Sequence, residues 1–311
     1  MKVISLIGNS KQHLKKTCAA IGIFDGVHRG HQYLIKKMLR AARRLGAQPI
    51  VITFFPHPAH VLRPDLKLGY LTSITDRFRL LGSLGVDACL VVRFNRSFAK
   101  IQPEKFIKDI LLNKLGVKAV FVGEDFRFGK DRSGDIALFQ KLAQECSYEM
   151  HAVPALKQGR TVISSTRIRQ LVGAGKLNEA ARLLGRSVSI SGTVVKGSMR
   201  GKRLGFPTAN IAYESDILPP QGVYVVKVLL GKKKYPGMVN IGTRPSFENQ
   251  ISKLHLEVHI LDFSKNIYGQ RLEVEFLKKI RNEKKFPSPQ ALVRQIRKDE
   301  SFARKFFKIT R

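Results

Sequence analysis

Tryptophan is missing altogether from this 311-residue chain, cysteine occurs three times, and acidic residues number 23 against 56 lysines and arginines. Each shortage excludes something. The isolated Cys18, Cys89 and Cys146 are odd in number, cannot build a disulfide framework and have no zinc-site spacing, so they read as buried thiols of a reducing cytoplasm. Long apolar runs are lacking too: residues 119–123 and 223–226 fall far short of the roughly 20 needed to cross a bilayer. The apolar run 3–8 is followed by Lys11, Lys15 and Lys16 before any secretory signal develops. The expectation is a soluble, cytoplasmic chain with no membrane partner. Without tryptophan, a recognisable nucleic-acid module or an aromatic-rich basic sheet for base stacking, the net charge of +33 does not point to a specific nucleic acid. The excess is shared, with 32 basic and 13 acidic residues in 1–186 and 24 and 10 in 187–311. It reads as a general cationic surface that attracts anions.

What is present is ordinary globular composition, 43% apolar and 25% charged, in a chain long enough for two domains. Residues 19–24, 50–54, 88–92, 119–122 and the run before Pro154 read as buried strands. Between them, 33–45, 75–84, 103–115 and 136–144 carry apolar residues at helical spacing, and short helices follow at 165–172 and 178–184. Strands alternating with helices imply a parallel sheet with right-handed crossovers. After Arg186, residues 187–196, 222–230, 235–241, 254–261 and 271–276 alternate with a period of two between Gly, Pro, Asn and Lys turns. This predicts a small antiparallel barrel or sandwich closed by a helix over 288–306. The domain boundary is placed near 186, giving domains 1–186 and 187–311.

Two segments of the first domain carry chemistry. Gly22, Phe24, Asp25, Gly26, His28, Gly30 and His31 fall within ten positions where a strand gives way to a helix. A helix N-terminus exposes unpaired amides and partial positive charge suited to phosphate, and residues three apart share a face. His28 and His31 could therefore both reach one phosphate chain; the alternative is two surface histidines. Near the domain's end, Ser164, Ser165, Thr166, Arg167 and Arg169 open another helical pattern. Its hydroxyls, amides and Arg169 could hold a triphosphate, or Ser165 could be a plain N-cap among solvated arginines.

Together these segments resemble the nucleotidyltransferase superfamily, marked by His-x-Gly-His after the first strand and a Ser/Thr-rich segment ending in arginine. With 53–58 (Thr-Phe-Phe-Pro-His-Pro) and 123–129 (Gly-Glu-Asp-Phe-Arg-Phe-Gly), they resemble more narrowly the adenylyltransferase module of bacterial bifunctional riboflavin kinase and FAD synthetase. The resemblance implies a Rossmann-like parallel sheet on which the FMN phosphate attacks the α-phosphorus of ATP and pyrophosphate leaves. It further implies that His28 and His31 donate to the phosphoryl oxygens, that Ser164, Ser165, Thr166 and Arg169 hold the phosphate tail, that Asp125 contacts ATP or its ribose, and that Mg²⁺ assists. His57, between Pro56 and Pro58, could equally fix a turn.

In the second domain, Gly201, Gly205 and Pro207 bracket a tight loop beside Lys202 and Arg203, and no Gly-x4-Gly-Lys-Ser/Thr loop occurs anywhere. The loop could wrap phosphates through its amides or be an ordinary basic hairpin turn. With Pro207-Thr208-Ala209-Asn210, 222–224, 240–247, 256–259 and 268–269 it resembles the riboflavin kinase signature. By that resemblance Gly205, Pro207 and Asn210 organise the ATP phosphates, Thr208 supplies a metal-binding hydroxyl, and Glu257 is the base for the ribityl 5′-hydroxyl. On spacing alone Glu273 and Glu275 would compete with Glu257. Two departures stand out: Ser246 where the family usually has Thr, and Ile23 where it often has Asn. The substrates implied are riboflavin, FMN and ATP, with an oligomeric state the sequence does not address.

Overall fold

The apolar runs of the first half are buried on both faces, as a parallel sheet covered by helices requires. The structure, a computed structural model, describes residues 1–6, 14–66, 68–197, 199–243 and 254–309. It divides into two units, Met1–Tyr70 with Ile74–Ser165 and Leu71–Ser73 with Thr166–Arg311. Of the segments singled out above, residues 7–8, Lys11 and residues 244–247, with Ser246 among them, lie outside the described residues.

Six parallel strands build the first unit: β1 (Lys2–Leu6), β2 (Thr17–Ile21), β3 (Gln48–Phe55), β4 (Ala88–Arg93), β5 (Val117–Gly123) and β6 (Glu149–Val153). Their order is β1-β4-β3-β2-β5-β6. Alternate residues of β2 feed different cores: Ala19 and Ile21 join Ile50, Ile52 and Leu90 on one face. Cys18 and Ala20 join Ile35, Met38 and Val51 on the other. The chain leaves β2 toward β3 on one side and returns as β5 on the other, so the strand order reverses at β2. In open α/β sheets the carboxyl ends of strands at such a switch point form the ligand crevice, and residues 22–31 begin there.

The helix Arg29–Leu45 buries Leu34, Ile35, Met38, Ala41 and Ala42 at helical spacing and ends at left-handed Gly46. The helix expected over 103–115 starts as Pro103–Lys105 and continues as a π-helical stretch, Phe106–Lys114. The apolar run at the N-terminus is itself a strand, pairing in parallel with β4. Cys18 and Cys89 are fully buried while Cys146 is half-buried. Burial pushes the Cys18 thiol up to about 11 and the Cys89 thiol up to about 12. A two-residue hairpin, β7 (Lys157–Gln158) and β8 (Thr161–Val162), closes the unit.

Apart from Leu71–Ser73, the second unit starts at Thr166 within the helix Ser165–Gly173, and the helix Leu177–Leu184 precedes a barrel of β9 (Ser189–Val195), β10 (Ala209–Tyr213), β11 (Gly222–Leu230), β12 (Lys233–Thr243), β13 (Leu254–Ile260) and β14 (Arg271–Arg281). The barrel is closed in the order β10-β13-β12-β11-β14-β9, which settles the choice between barrel and sandwich. β10 is a strand that periodicity did not separate from the loop before it, because five residues starting just after Pro207 carry too little alternation. Helix Pro289–Phe307, capped by Ser288, seats Ala303 among Val225, Met238 and Leu261.

Candidate active sites

At the end of β2 the backbone makes an unusual turn. Phe24, Gly26 and Val27 all have positive φ, at 54°, 79° and 39°. Glycine adopts this readily; Phe24 and Val27 do so under strain, held by burial of both side chains to 1% exposure. The turn delivers His28 as N-cap of the helix Arg29–Leu45, where its Nδ1 accepts from the His31 amide at 3.3 Å. An accepting Nδ1 leaves the proton of the neutral His28 ring on Nε2.

The two imidazoles stack at 3.5 Å between centroids, and Phe24 meets His31 edge-on at 5.2 Å. Gly30 makes room for this stack, since a β-carbon there would sit 3.1 Å from the His28 ring. His31 Nδ1 is buried without a hydrogen-bond partner among the described residues. Burial, then the adjacent His28 and Arg77, hold the His31 imidazole well below the ordinary histidine range. A buried ring nitrogen beside a helix N-terminus is placed to hydrogen-bond a ligand seated there.

Two ties pin this turn. Ser165 Oγ donates to the Asp25 carbonyl at 2.9 Å, so its hydroxyl joins motifs 140 residues apart instead of serving only as a helix cap. The Ile23 carbonyl accepts from Thr53 Oγ1 and from Arg77 Nη1, each at 3.0 Å. Ile23 therefore contributes through its backbone, which no side-chain comparison reveals. Arg77, fully buried on the helix Ile74–Ser83, also pairs with the buried Asp25 carboxylate at 3.5 Å. Sequence reasoning passed over Arg77 entirely; its one available signal was a cation on the apolar flank of a helix.

The remaining candidates lie in simpler settings. Gly22 leads into the turn, its amide donating to the Ile52 carbonyl. Asp125 is exposed in the turn after β5. Ser164 is half-buried just before the helix Ser165–Gly173, along which Thr166 is exposed and Arg169 half-buried. His57 caps the short helix Pro58–Leu62, its Nδ1 accepting from the Ala59 amide at 3.0 Å, which is the turn-fixing role.

On the barrel, register assembles the second constellation. Asn210 on β10 stands opposite Glu257 on β13, and Glu257 stands opposite Asn240 on β12. Directly opposed residues of antiparallel strands present their side chains on the same face. All three are half-buried, whereas their neighbours Ile211, Leu256, Val258 and Ile241 are buried in the barrel core. Glu273 and Glu275 lie instead on β14, opposite β9, and Glu273 accepts from Ser189 Oγ at 2.7 Å. The Asn240 contribution was not anticipated.

Over this row folds the segment between β9 and β10. The one-turn helix Arg200–Arg203 is followed by Gly205 at φ 85°, and the Phe206 amide closes back onto the Gly201 carbonyl at 2.8 Å. A β-carbon on Gly197 would fall 2.1 Å from Asn210 Nδ2, and one on Gly201 would fall 3.1 Å from Thr208 Oγ1. The loop backbone thus rests directly on Thr208 and Asn210. Among the described residues no group of three or more His, Cys, Asp or Glu side chains could hold a metal alone. Thr208 and Asn210 offer hard oxygens of the kind that bind Mg²⁺ once phosphates and water complete its shell.

Two family models match the chain, FAD synthetase over residues 10–167 and riboflavin kinase over residues 184–307. A protein of Escherichia coli named bifunctional riboflavin kinase/FMN adenylyltransferase is 41% identical over 313 residues, covering 100% of this chain and 99% of its own. A protein of the same name from Listeria monocytogenes is 39% identical, covering 93% of this chain and 91% of its own. A crystal structure from Streptococcus pneumoniae, described as a macrolide-efflux protein, superposes with a TM-score of 0.85 at 32% identity, covering 98% of this chain and 99% of its own. That description belongs to the pneumococcal protein; among the described residues here no helix is long and apolar enough to cross a membrane.

Proposed function

Because this chain belongs to the bifunctional riboflavin kinase/FMN adenylyltransferase family, we propose that it phosphorylates riboflavin with ATP to give FMN and ADP, then adenylylates FMN with a second ATP to give FAD and pyrophosphate. The observation that carries a two-site reading is that two chemically different constellations lie on two different sheets. A stacked histidine pair stands at the switch point of the parallel sheet, and a carboxylate-amide row stands on the barrel. We assign residues 1–186 to adenylyl transfer and 187–311 to the kinase.

In the kinase reaction the attacking group is a primary alcohol, a poor nucleophile at neutral pH. Glu257 accepts its proton as the γ-phosphoryl passes to the ribityl oxygen. Asn210 and Asn240, flanking Glu257 in register, orient the carboxylate and the polar groups brought to it. Gly205, Pro207 and Thr208 hold the phosphates, with Thr208 as the protein's hydroxyl ligand to Mg²⁺. A Mg²⁺ ion held there would supply positive charge to offset that of the phosphates.

Adenylyl transfer needs no protein nucleophile, because the attacking FMN phosphate is already anionic. The protein's work is alignment and charge stabilisation. His28 donates through Nε2–H to the phosphoryl oxygens, and His31, neutral and lacking a partner at Nδ1, supplies a second contact. Gly22, Phe24, Asp25 and Gly26 shape the turn that aims the pair. Asp125 takes the adenosine side, and Ser164, Ser165, Thr166 and Arg169 take the departing pyrophosphate. The cationic surface favours such anions without any polynucleotide partner, and two buried thiols fit a cytoplasmic setting.

Purified protein incubated with riboflavin, ATP and Mg²⁺, with the flavins separated by chromatography, tests the reading; neither FMN nor FAD appearing would sink it. Replacing His28 and His31 by Ala abolishes FAD formation and spares FMN formation. Glu257→Gln does the reverse when FMN is supplied. Loss of both activities in either folded variant contradicts the two-site assignment.

A further inference from the structure

Beyond the residues assigned above, β13 carries two further polar side chains on the face that bears Glu257, those of His255 and His259. Residues two apart on a strand share a face, so His259 lies beside Glu257, while Leu256, Val258 and Ile260 between and around them point into the core. His259 Nδ1 lies 2.8 Å from the Pro207 carbonyl, 52 residues earlier in the chain, and the Phe206 ring meets its imidazole edge-on at 5.9 Å. A carbonyl can only accept, so His259 Nδ1 carries the proton and donates it.

We propose that His259 is a positioning residue of the kinase site, fixing the Pro207–Thr208 peptide against the strand that carries Glu257. The inference rests on the kinase reading of the barrel. Its physical basis is the planarity of the peptide unit: in a trans peptide the carbonyl oxygen and the following N–H point in opposite directions. Drawing the Pro207 oxygen toward β13 therefore turns the Thr208 amide the other way and sets the direction from which the Thr208 side chain leaves the backbone. Proline at 207 has no N–H with which to join the ladder, so this segment needs an anchor through its carbonyl. Among the described residues that carbonyl is met by the side chain of His259. One strand thereby carries the proton acceptor for the alcohol and the clamp for the phosphate loop, and their spacing along β13 ties the two reacting partners to a common frame.

The test uses the full chain and steady-state riboflavin phosphorylation, with FAD formation from supplied FMN as an internal control. His259→Ala raises the KM for Mg·ATP about tenfold, the scale of one lost hydrogen bond to a loop that must then be ordered by the substrate. The riboflavin KM and FAD formation from FMN stay unchanged. His259→Asn, whose amide nitrogen can replace Nδ1 as donor, recovers most of the loss, and this rescue separates positioning from simple packing. An unchanged Mg·ATP KM in His259→Ala, or equal damage in the Ala and Asn variants, overturns the proposal. Far-UV circular dichroism checks that each variant is folded. If the unaltered chain makes no FMN from riboflavin, the kinase reading itself fails; if it does and His259→Ala matches it, only the clamp fails.

Discussion

Replacing Arg77 by Leu probes the least expected element of the adenylyl-transfer site. Arg77 and Asp25 are 0% and 1% exposed and 3.5 Å apart. At an effective dielectric constant of about 20 a pair at that separation attracts by roughly 5 kcal/mol, most of it offset in the intact protein by the desolvation of both ions. Leucine removes the cation and leaves the carboxylate in a site from which water is excluded, together with an Ile23 carbonyl short of one donor. Breaking a buried pair from one side costs about 3–5 kcal/mol. That is a large part of the total stability of an ordinary domain, which is about 5–15 kcal/mol. With a urea dependence of about 2 kcal/mol per molar, the midpoint of the transition should fall by about 1.5–2.5 M. The chain has no tryptophan, so unfolding is followed by far-UV circular dichroism. Asp25→Asn in the Arg77→Leu background removes the stranded charge and should restore a substantial part of the loss, making the double variant more stable than the sum of single effects. Even where folded, Arg77→Leu should make FAD poorly, because the turn through Phe24 and Val27 loses one of its pins, while FMN formation continues. A midpoint shift below about 0.3 M, within the scatter of ordinary surface substitutions, would refute the reasoning, as would strictly additive effects of the two changes.

Protonation of His31 gives a second expectation. Its folded-state pKa lies well below the ordinary histidine range, chiefly through burial. The unfolded chain therefore binds a proton first as pH falls, so the stability from keeping this ring neutral is complete above about pH 6.5 and is lost below it, by at most about 1.4 kcal/mol per pH unit. His31→Asn removes that slope; parallel stability curves for the two proteins between pH 7 and 5 would show that burial does not hold the ring neutral. In the kinase loop, a β-carbon on Gly201 would meet the Phe206 carbonyl oxygen at 2.4 Å. Gly201→Ala is expected to displace the loop at a cost of about 1–3 kcal/mol, lowering riboflavin phosphorylation and sparing FAD formation from FMN, and wild-type kinase kinetics would count against the close approach of loop and strand.

Much of the architecture was legible because it is written locally. Helical spacing of Leu34, Ile35, Met38, Ala41 and Ala42 announces the helix after His28, and alternation in residues 254–260 announces a barrel strand. The His28 and His31 pair needs only a three-residue spacing and a helix start to bring its rings together. Where local pattern was thin, reading failed: β10 is five residues long behind a proline loop, and an N-terminal apolar run gives no sign that it will pair in parallel with β4.

The sequence by itself determined which residue types and spacings are present, hence the two motif sets, the alternation of elements and the family resemblance. Only the tertiary structure decided which distant residues share a site. Glu257 rather than Glu273 faces Asn210 because strand register is a property of the whole barrel, set by how every inward side chain packs, and a one-residue slip would turn Glu257 to the other face. Arg77 reaches Asp25, Ser165 reaches the Asp25 carbonyl, and His259 reaches the Pro207 carbonyl across separations of 52, 140 and 52 residues. Two of these contacts end on backbone oxygens, which every residue possesses and no sequence pattern marks; only the folded chain shows which of them is within reach.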